Sequence, residues 1–206
     1  MKLMMLDIET LGTGARAPVF QVAAVTFNPD LTLMPVEGEG VDVIPTGNGL
    51  FERATPLEFN HWLSSTDAGL DILRGAEVEL GTVGWWQDRL RDKPIPYLGN
   101  HLAPRELLRE LASFWEQEEP DAIMANSPSF DCIIIQEMAR RWGETMPWSF
   151  RDWWDLRTLR KVHGIVFHRE VKRRETTHDA LQDCRDQCWE AAKLLTDLKI
   201  IGGSFE

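Results

Sequence analysis

Met-Lys-Leu-Met-Met-Leu-Asp-Ile-Glu-Thr, residues 1–10, opens the chain and governs how the rest of it is read. Residues 2–8 are a near-continuous apolar run, the composition of a central strand covered on both faces. Asp7 and Glu9 stand where that strand ends. Residues two apart on a strand point to the same side, so both carboxylates can face one site. Residues 10–18 carry Gly12, Gly14 and Pro18 and read as a turn. Residues 19–27, rich in Val, Phe and Thr, predict a second strand. A turn over 28–30 and a third strand within 31–44, interrupted by Gly38 and Gly40, would complete an antiparallel meander.

Residues 45–103 form an irregular, insertion-like segment broken by prolines and glycines. Short helical turns are expected over 57–63, 69–73 and 82–90, the last bearing Trp85 and Trp86. Residues 104–118 read as a helix. Pro104 suits its first turn, and Leu107, Leu108, Leu111, Phe114 and Trp115 recur at helical spacing. Residues 121–125 are a short apolar strand, and 130–142 a helix with Ser129 as the expected N-cap. A short strand or a helix start is expected around Asp155. Residues 177–198 are the clearest helix, with Leu181, Cys184, Cys188, Ala191, Leu195 and Leu198 stepping by three and four. Strands first, then helices mixed with another strand, predict one α/β domain over residues 1–206 with a mixed sheet.

Composition narrows the function classes. No run approaches the length of a membrane span, and the short apolar start is followed by no small-residue cleavage site, so no membrane partner and a cytoplasmic location are expected. Cys132, Cys184 and Cys188 lack the partners that a zinc site needs, and they read as small buried hydrophobes. A net charge of −11 argues against a broad basic surface for duplex DNA, but not against a nucleic-acid enzyme whose acidic site is neutralised locally by divalent cations. Charge is also uneven. Residues 151–174 hold eight Lys/Arg against three Asp/Glu, a stretch that as a group could guide phosphate and singly reads as solvated surface.

Cleaving a phosphodiester requires an in-line water and neutralisation of charge on the attacking and leaving oxygens, which two divalent cations about 4 Å apart supply. Mg²⁺ prefers oxygen ligands in near-octahedral array. Asp7 and Glu9 are candidates, as is Asp131, which closes the tight loop Asn126-Ser127-Pro128-Ser129-Phe130-Asp131 between a strand and a helix, a usual place for site residues in α/β sheets. Each has a plainer reading: a polar strand terminus, or a first-turn acid complementing a helix dipole. His178 and Asp183 lie five apart in His-Asp-Ala-Leu-Gln-Asp. On a regular helix that is about 140° of rotation. They can share a cleft if His178 stands at the helix start and Asp183 lies inside. Alone, His178 reads as a capping or surface residue; in a site, its imidazole suits a general base near neutral pH.

Leu6–Thr10, Asn126–Asp131 and His178–Asp183 together resemble the three exonuclease motifs of the DEDDh superfamily, the last in the H-x-A-x-x-D form. Thr82-Val83-Gly84-Trp85-Trp86 and Trp154-Asp155-Leu156-Arg157-Thr158-Leu159 are similar to segments of the branch that holds phage exonuclease A proteins and ribonuclease AS-type enzymes. The resemblance implies a ribonuclease H-like fold with a five-stranded mixed sheet flanked by helices. It implies two Mg²⁺ or Mn²⁺ per active site on Asp7, Glu9, Asp131 and Asp183, with Asp183 rather than Asp179 as the fourth acid and His178 as base. It implies release of nucleoside 5′-monophosphates from single-stranded DNA or RNA 3′ ends. Trp85 or Trp86 would stack on a terminal base, and Thr10, Leu11, Asn126, Ser129 and Arg157 would contact substrate. A homodimer is the expected assembly, in the host cytoplasm if the chain is phage-encoded. Two other readings compete: a catalytically silent nucleic-acid or protein-binding module on the same fold, and an endonuclease. The intact set of five residues argues against the first, and the H-x-A-x-x-D helix with the Trp pair against the second.

Overall fold

The structure, a computed structural model, describes residues 1–29, 58–63, 65–92, 101–169, 171 and 176–202. Five strands form one mixed sheet: β1 (Leu3–Thr10), β2 (Val19–Phe27), β3 (Glu58–Trp62), β4 (Ala122–Ala125) and β5 (Trp153–Asp155), in the order β3-β2-β1-β4-β5. β1 pairs antiparallel with β2 and parallel with β4, so the acid-bearing strand is hydrogen-bonded on both edges. β3 adds antiparallel to β2, and β5 parallel to β4. The helices are α1 (Ser65–Leu73), α2 (Leu80–Asp92), α3 (Pro104–Glu118), α4 (Asp131–Trp142), α5 (Leu156–Phe167) and α6 (Ala180–Gly202).

Strand alternation divides the core. Met4, Leu6 and Ile8 of β1 pack with Leu107, Leu108 and Leu111 of α3 and Ile134, Ile135 and Met138 of α4. Leu3 and Met5 face the other way, on to Leu156 of α5 and Ala180, Cys184, Cys188, Ala191 and Ala192 of α6. The small residues of α6 let its backbone come close to the sheet, and the Cys184 thiol donates to the Ala23 carbonyl at 3.4 Å. All three cysteines are buried and free. Among the described residues, no helix is long and apolar enough to cross a membrane.

The strand and helix expectations hold for β1, β2, α3, β4 and α4, with ends shifted by a residue or so. Residues 57–63 differ. The described part, Glu58–Trp62, is β3 instead of a helical turn: it pairs with β2, and Phe59 and Trp62 are buried there. A short apolar run carries no period that separates helix from strand, and pairing decides. The strand expected within 31–44 lies outside the described residues. The insertion-like segment supplies β3, α1 and α2. Ser129 does not cap α4: Phe130 holds the N-cap position without a side-chain bond, and Ser129 instead shares a 3.0 Å hydrogen bond with Ser127. α6 begins at Ala180, three residues later than expected, because Asp179 caps it by accepting from the Leu181 and Gln182 amides.

α1 is anchored to α4 by a buried ion pair that the sequence reading passed over. Arg141 donates to Asp71 through two nitrogens at 3.0 and 2.7 Å, and the Trp142 indole adds a third bond at 2.8 Å. Removing one partner strands a buried charge, so Asp71→Ala is expected to lower unfolding free energy by about 3–5 kcal/mol in denaturant titration. A loss below about 1 kcal/mol would show that this contact does not hold α1.

Candidate active site

Asp7 and Glu9 continue the Leu3–Met5 face of β1, so they project toward α6 past the end of the apolar core. The β1–β2 register shifts between Glu9 and Thr10, an irregularity that ends regular pairing beside the acid pair. Gly12 follows in a tight turn, where an added Cβ would meet the Glu77 carbonyl oxygen at 3.2 Å and Ala17 at 3.3 Å. Asp131 opens α4 directly after β4, the parallel neighbour of β1, and its turn is closed by the Phe130 and Asp131 amides donating to the Ser127 carbonyl. Asp183 sits in the first turn of α6.

His178 precedes α6 in a left-handed backbone conformation, φ 56°. An L-residue adopts this region at a cost, and His is among the residues that tolerate it. Here it is imposed by Asp183, whose carboxylate accepts from the Thr177 amide at 2.7 Å, the Thr177 hydroxyl at 2.9 Å and the His178 amide at 3.2 Å. Arg89 of α2 ties down the same loop by donating to the Thr177 carbonyl. The turn back through the loop, rather than a continued helix, cancels the angular separation expected of residues five apart. Ligand atoms of Glu9, His178 and Asp183 come within 4.8 Å of one another.

These groups line a cleft of about 560 Å³ that also includes Asp7, Thr10, Asn126, Ser129, Asp131, Arg157, Trp85 and Trp86. Leu11 does not line it: its backbone is engaged with Pro18 and Glu79, and it serves the turn. The two tryptophans divide their roles. Trp86 is 5% exposed, donates its indole N–H to the Thr10 carbonyl at 2.9 Å and meets Phe20 edge-on. Trp85 is 44% exposed and stands edge-on to His178 with ring centres 4.7 Å apart. Of the basic stretch, Arg157 faces the cleft and donates to Ser127. Arg160 is instead paired with Glu190 and donates to Asn126 at 2.7 Å, and Arg169 is paired with Asp197. Lys172, Arg173 and Arg174 lie outside the described residues. Thr82, at the start of the segment that bears the Trp pair, also lines the cleft, as do Thr13 and Thr176, which escaped the sequence reading because isolated threonines carry no pattern.

The acids crowd one another away from water. Burial, then the charges of Asp131 and Glu9, push the Asp7 carboxyl well above its ordinary range. Burial, then Asp183 and Asp131, do the same to Glu9. Burial raises Asp131 to about 7, against hydrogen bonds from nearby backbone amides and the charge of Arg157. Carboxylates held together at such a cost suit a hard divalent cation, which prefers oxygen ligands and would offset their repulsion.

The mixed sheet ordered β3-β2-β1-β4-β5 and flanked by helices is a ribonuclease H-like exonuclease fold, and on it an acid pair ends the central strand, an acid opens the helix after the adjacent parallel strand, and a His–Asp segment borders the cleft. The chain belongs to the 3′–5′ exoribonuclease Rv2179c-like domain family, which its sequence matches over residues 2–195. Among solved structures, the metal-free E. coli exonuclease I–single-stranded DNA complex superposes with a TM-score of 0.55 at 14% identity, covering 98% of this chain and 40% of that one. A product-bound exonuclease I gives a TM-score of 0.54 at 13% identity, covering 97% of this chain and 43% of that one. This chain therefore spans less than half the length of those exonuclease I chains. The nuclease domain of 3′hExo, a DEDDh family member bound to rAMP, gives 0.51 at 10% identity, covering 95% of this chain and 92% of that one. No curated protein gives a significant sequence match.

The crowding sets a pH dependence. An unfolded Asp131 titrates near 3.8, whereas the folded one holds its proton to about 7. The folded, metal-free protein therefore binds more protons between these values, and this contribution to stability is full below about pH 4 and lost as pH rises through about 7. Asp131→Asn is expected to raise the metal-free melting temperature at pH 8 relative to wild type and to leave it nearly unchanged at about pH 3.5, below the unfolded value, measured by scanning calorimetry. A variant less stable than wild type at pH 8 would contradict the crowding.

Proposed function

We propose that this chain is a metal-dependent 3′–5′ exonuclease that removes nucleoside 5′-monophosphates from single-stranded nucleic acid, with RNA as the preferred substrate. The observation that carries the reading is the convergence of Asp7, Glu9, Asp131, Asp183 and His178 on one cleft from three separate parts of the chain. Family membership supports RNA, since the family is described as exoribonuclease. The neighbours bound to single-stranded DNA and to rAMP support a strand end as the bound species.

Asp7, Glu9, Asp131 and Asp183 would hold Mg²⁺ or Mn²⁺. Two such ions, when bound, make water nucleophilic near neutral pH and neutralise charge on the leaving oxygen. His178 takes the proton of the attacking water. The water oxygen bonds to phosphorus, the bond to the 3′ oxygen of the preceding nucleotide breaks, and that oxygen takes a proton from solvent and leaves as a hydroxyl. Trp85 offers an exposed indole face for a terminal base, whereas Trp86 braces the turn after β1. Arg157 lies beside Asp131 where it can meet phosphate, and Asn126 and Ser129 line the same side. A homodimer in the cytoplasm belongs to the same reading.

The test is single-stranded RNA and DNA, labelled at either end, with Mn²⁺ or Mg²⁺. Stepwise shortening of the 5′-labelled strand is expected, faster on RNA. Internal cuts would indicate an endonuclease, and no cleavage with either metal a silent module. Asp183→Ala should abolish turnover, and His178→Ala should lower kcat by roughly 10²–10⁴-fold while binding metal; wild-type kcat in the latter would refute the base. Trp85→Ala should raise KM by roughly 5- to 150-fold, the equivalent of about 1–3 kcal/mol of lost stacking. An unchanged KM would remove Trp85 from the substrate contact.

A further inference from the structure

We infer that Gln187 is a positioning residue that aims the Asp7 carboxylate, an inference that rests on the proposed role of Asp7 as a metal ligand. Gln187 lies one helical turn beyond Asp183 on the same side of α6. It is 7% exposed, and its amide nitrogen donates to Asp7 Oδ1 at 2.8 Å. One helix thus carries an acid of the site and the group that holds an acid on the neighbouring strand.

The chemistry of the amide suits this task better than any charged side chain. Lys or Arg at this point would neutralise Asp7 and compete with a cation for it. Asp or Glu would add another negative charge to a crowded cleft. A neutral amide donor occupies one lone pair of one oxygen, fixes the rotamer and leaves the carboxylate's charge intact. Groups that orient metal-ligating side chains in this way commonly change metal affinity 10- to 100-fold when removed.

A second observation separates positioning from ordinary packing. The other end of the same amide, Gln187 Oε1, is buried with no hydrogen-bond partner. Buried acceptors are seldom left unpaired, and an apolar side chain of similar volume would fill the space without that penalty. A residue kept only for packing would carry neither polar atom. Turning the amide over would set its oxygen against Asp7 Oδ1, so the acid dictates its orientation.

The experiment measures Mn²⁺ binding to the full chain by titration calorimetry, together with kcat and KM on single-stranded RNA, for wild type, Gln187→Met, Gln187→Asn and Asp7→Asn. Met removes the donor at similar volume, and Asn shortens the reach by one methylene. Both variants are expected to bind Mn²⁺ at least tenfold more weakly, to lose kcat at limiting metal with partial recovery at saturating metal, and to change KM for RNA less than twofold. A purely structural role would lower the melting temperature and leave Mn²⁺ affinity of the folded protein alone. If a folded Gln187 variant binds Mn²⁺ within twofold of wild type while Asp7→Asn does not, the inference about Gln187 fails by itself. If Asp7→Asn also keeps wild-type affinity, the metal reading of Asp7 fails. Should Gln187→Met not fold, Gln187→Asn is read in the same way.

Discussion

The rest of the structure depends on the two-residue alternation of β1 at the centre of the sheet. Its even residues, Met4, Leu6 and Ile8, enter the core beneath α3 and α4, and its odd residues, Leu3 and Met5, enter the core beneath α6. Asp7 and Glu9 are the continuation of that odd face beyond the reach of apolar packing. Sliding β1 by one residue would bury the acids against α4 and turn Leu6 and Ile8 toward α6. Pairing on both edges, antiparallel to β2 and parallel to β4, holds the register against such a slip. The apolar half of the strand thereby places its polar end.

Around that strand the site is braced by groups that stand outside the set of acids lining the cleft. Trp86 fixes the turn after β1 through the Thr10 carbonyl. Gln21, fully buried on β2, accepts from the Ala180 amide and donates to Asp179, which fixes where α6 starts. Arg160 and Glu190 hold the carbonyl end of Asn126. These contacts oppose the mutual repulsion of carboxylates gathered away from water, whose raised pKa values record the strain of keeping them there. Local sequence logic is violated where several like charges are buried together, the kind of conflict that folded proteins retain at functional sites.

Much of this was legible in the residues themselves. The apolar run at 2–8, the helical spacing in 104–118 and the three acidic motifs led directly to β1, α3 and the cleft. The failures share a cause. Residues 57–63 carry no period that distinguishes strand from helix, and only the free edge of β2 made them β3. Ser129 has the right chemistry for a cap, but its hydroxyl is engaged by Ser127, to which Arg157 also donates. Arg160 looks in sequence like one cation of a basic patch, while its charge is met by Glu190, thirty residues away.

By itself the sequence determined which side chains could bind a hard cation, the apolar run of β1 and the apolar stripes of α3 and α6, because these follow from residue chemistry and local period. Tertiary structure alone decided which tryptophan is exposed, why His178 turns back beside Asp183, and that Gln187 meets Asp7. Each of those depends on groups far apart in the chain, and their relative placement exists only once α6 packs on the sheet.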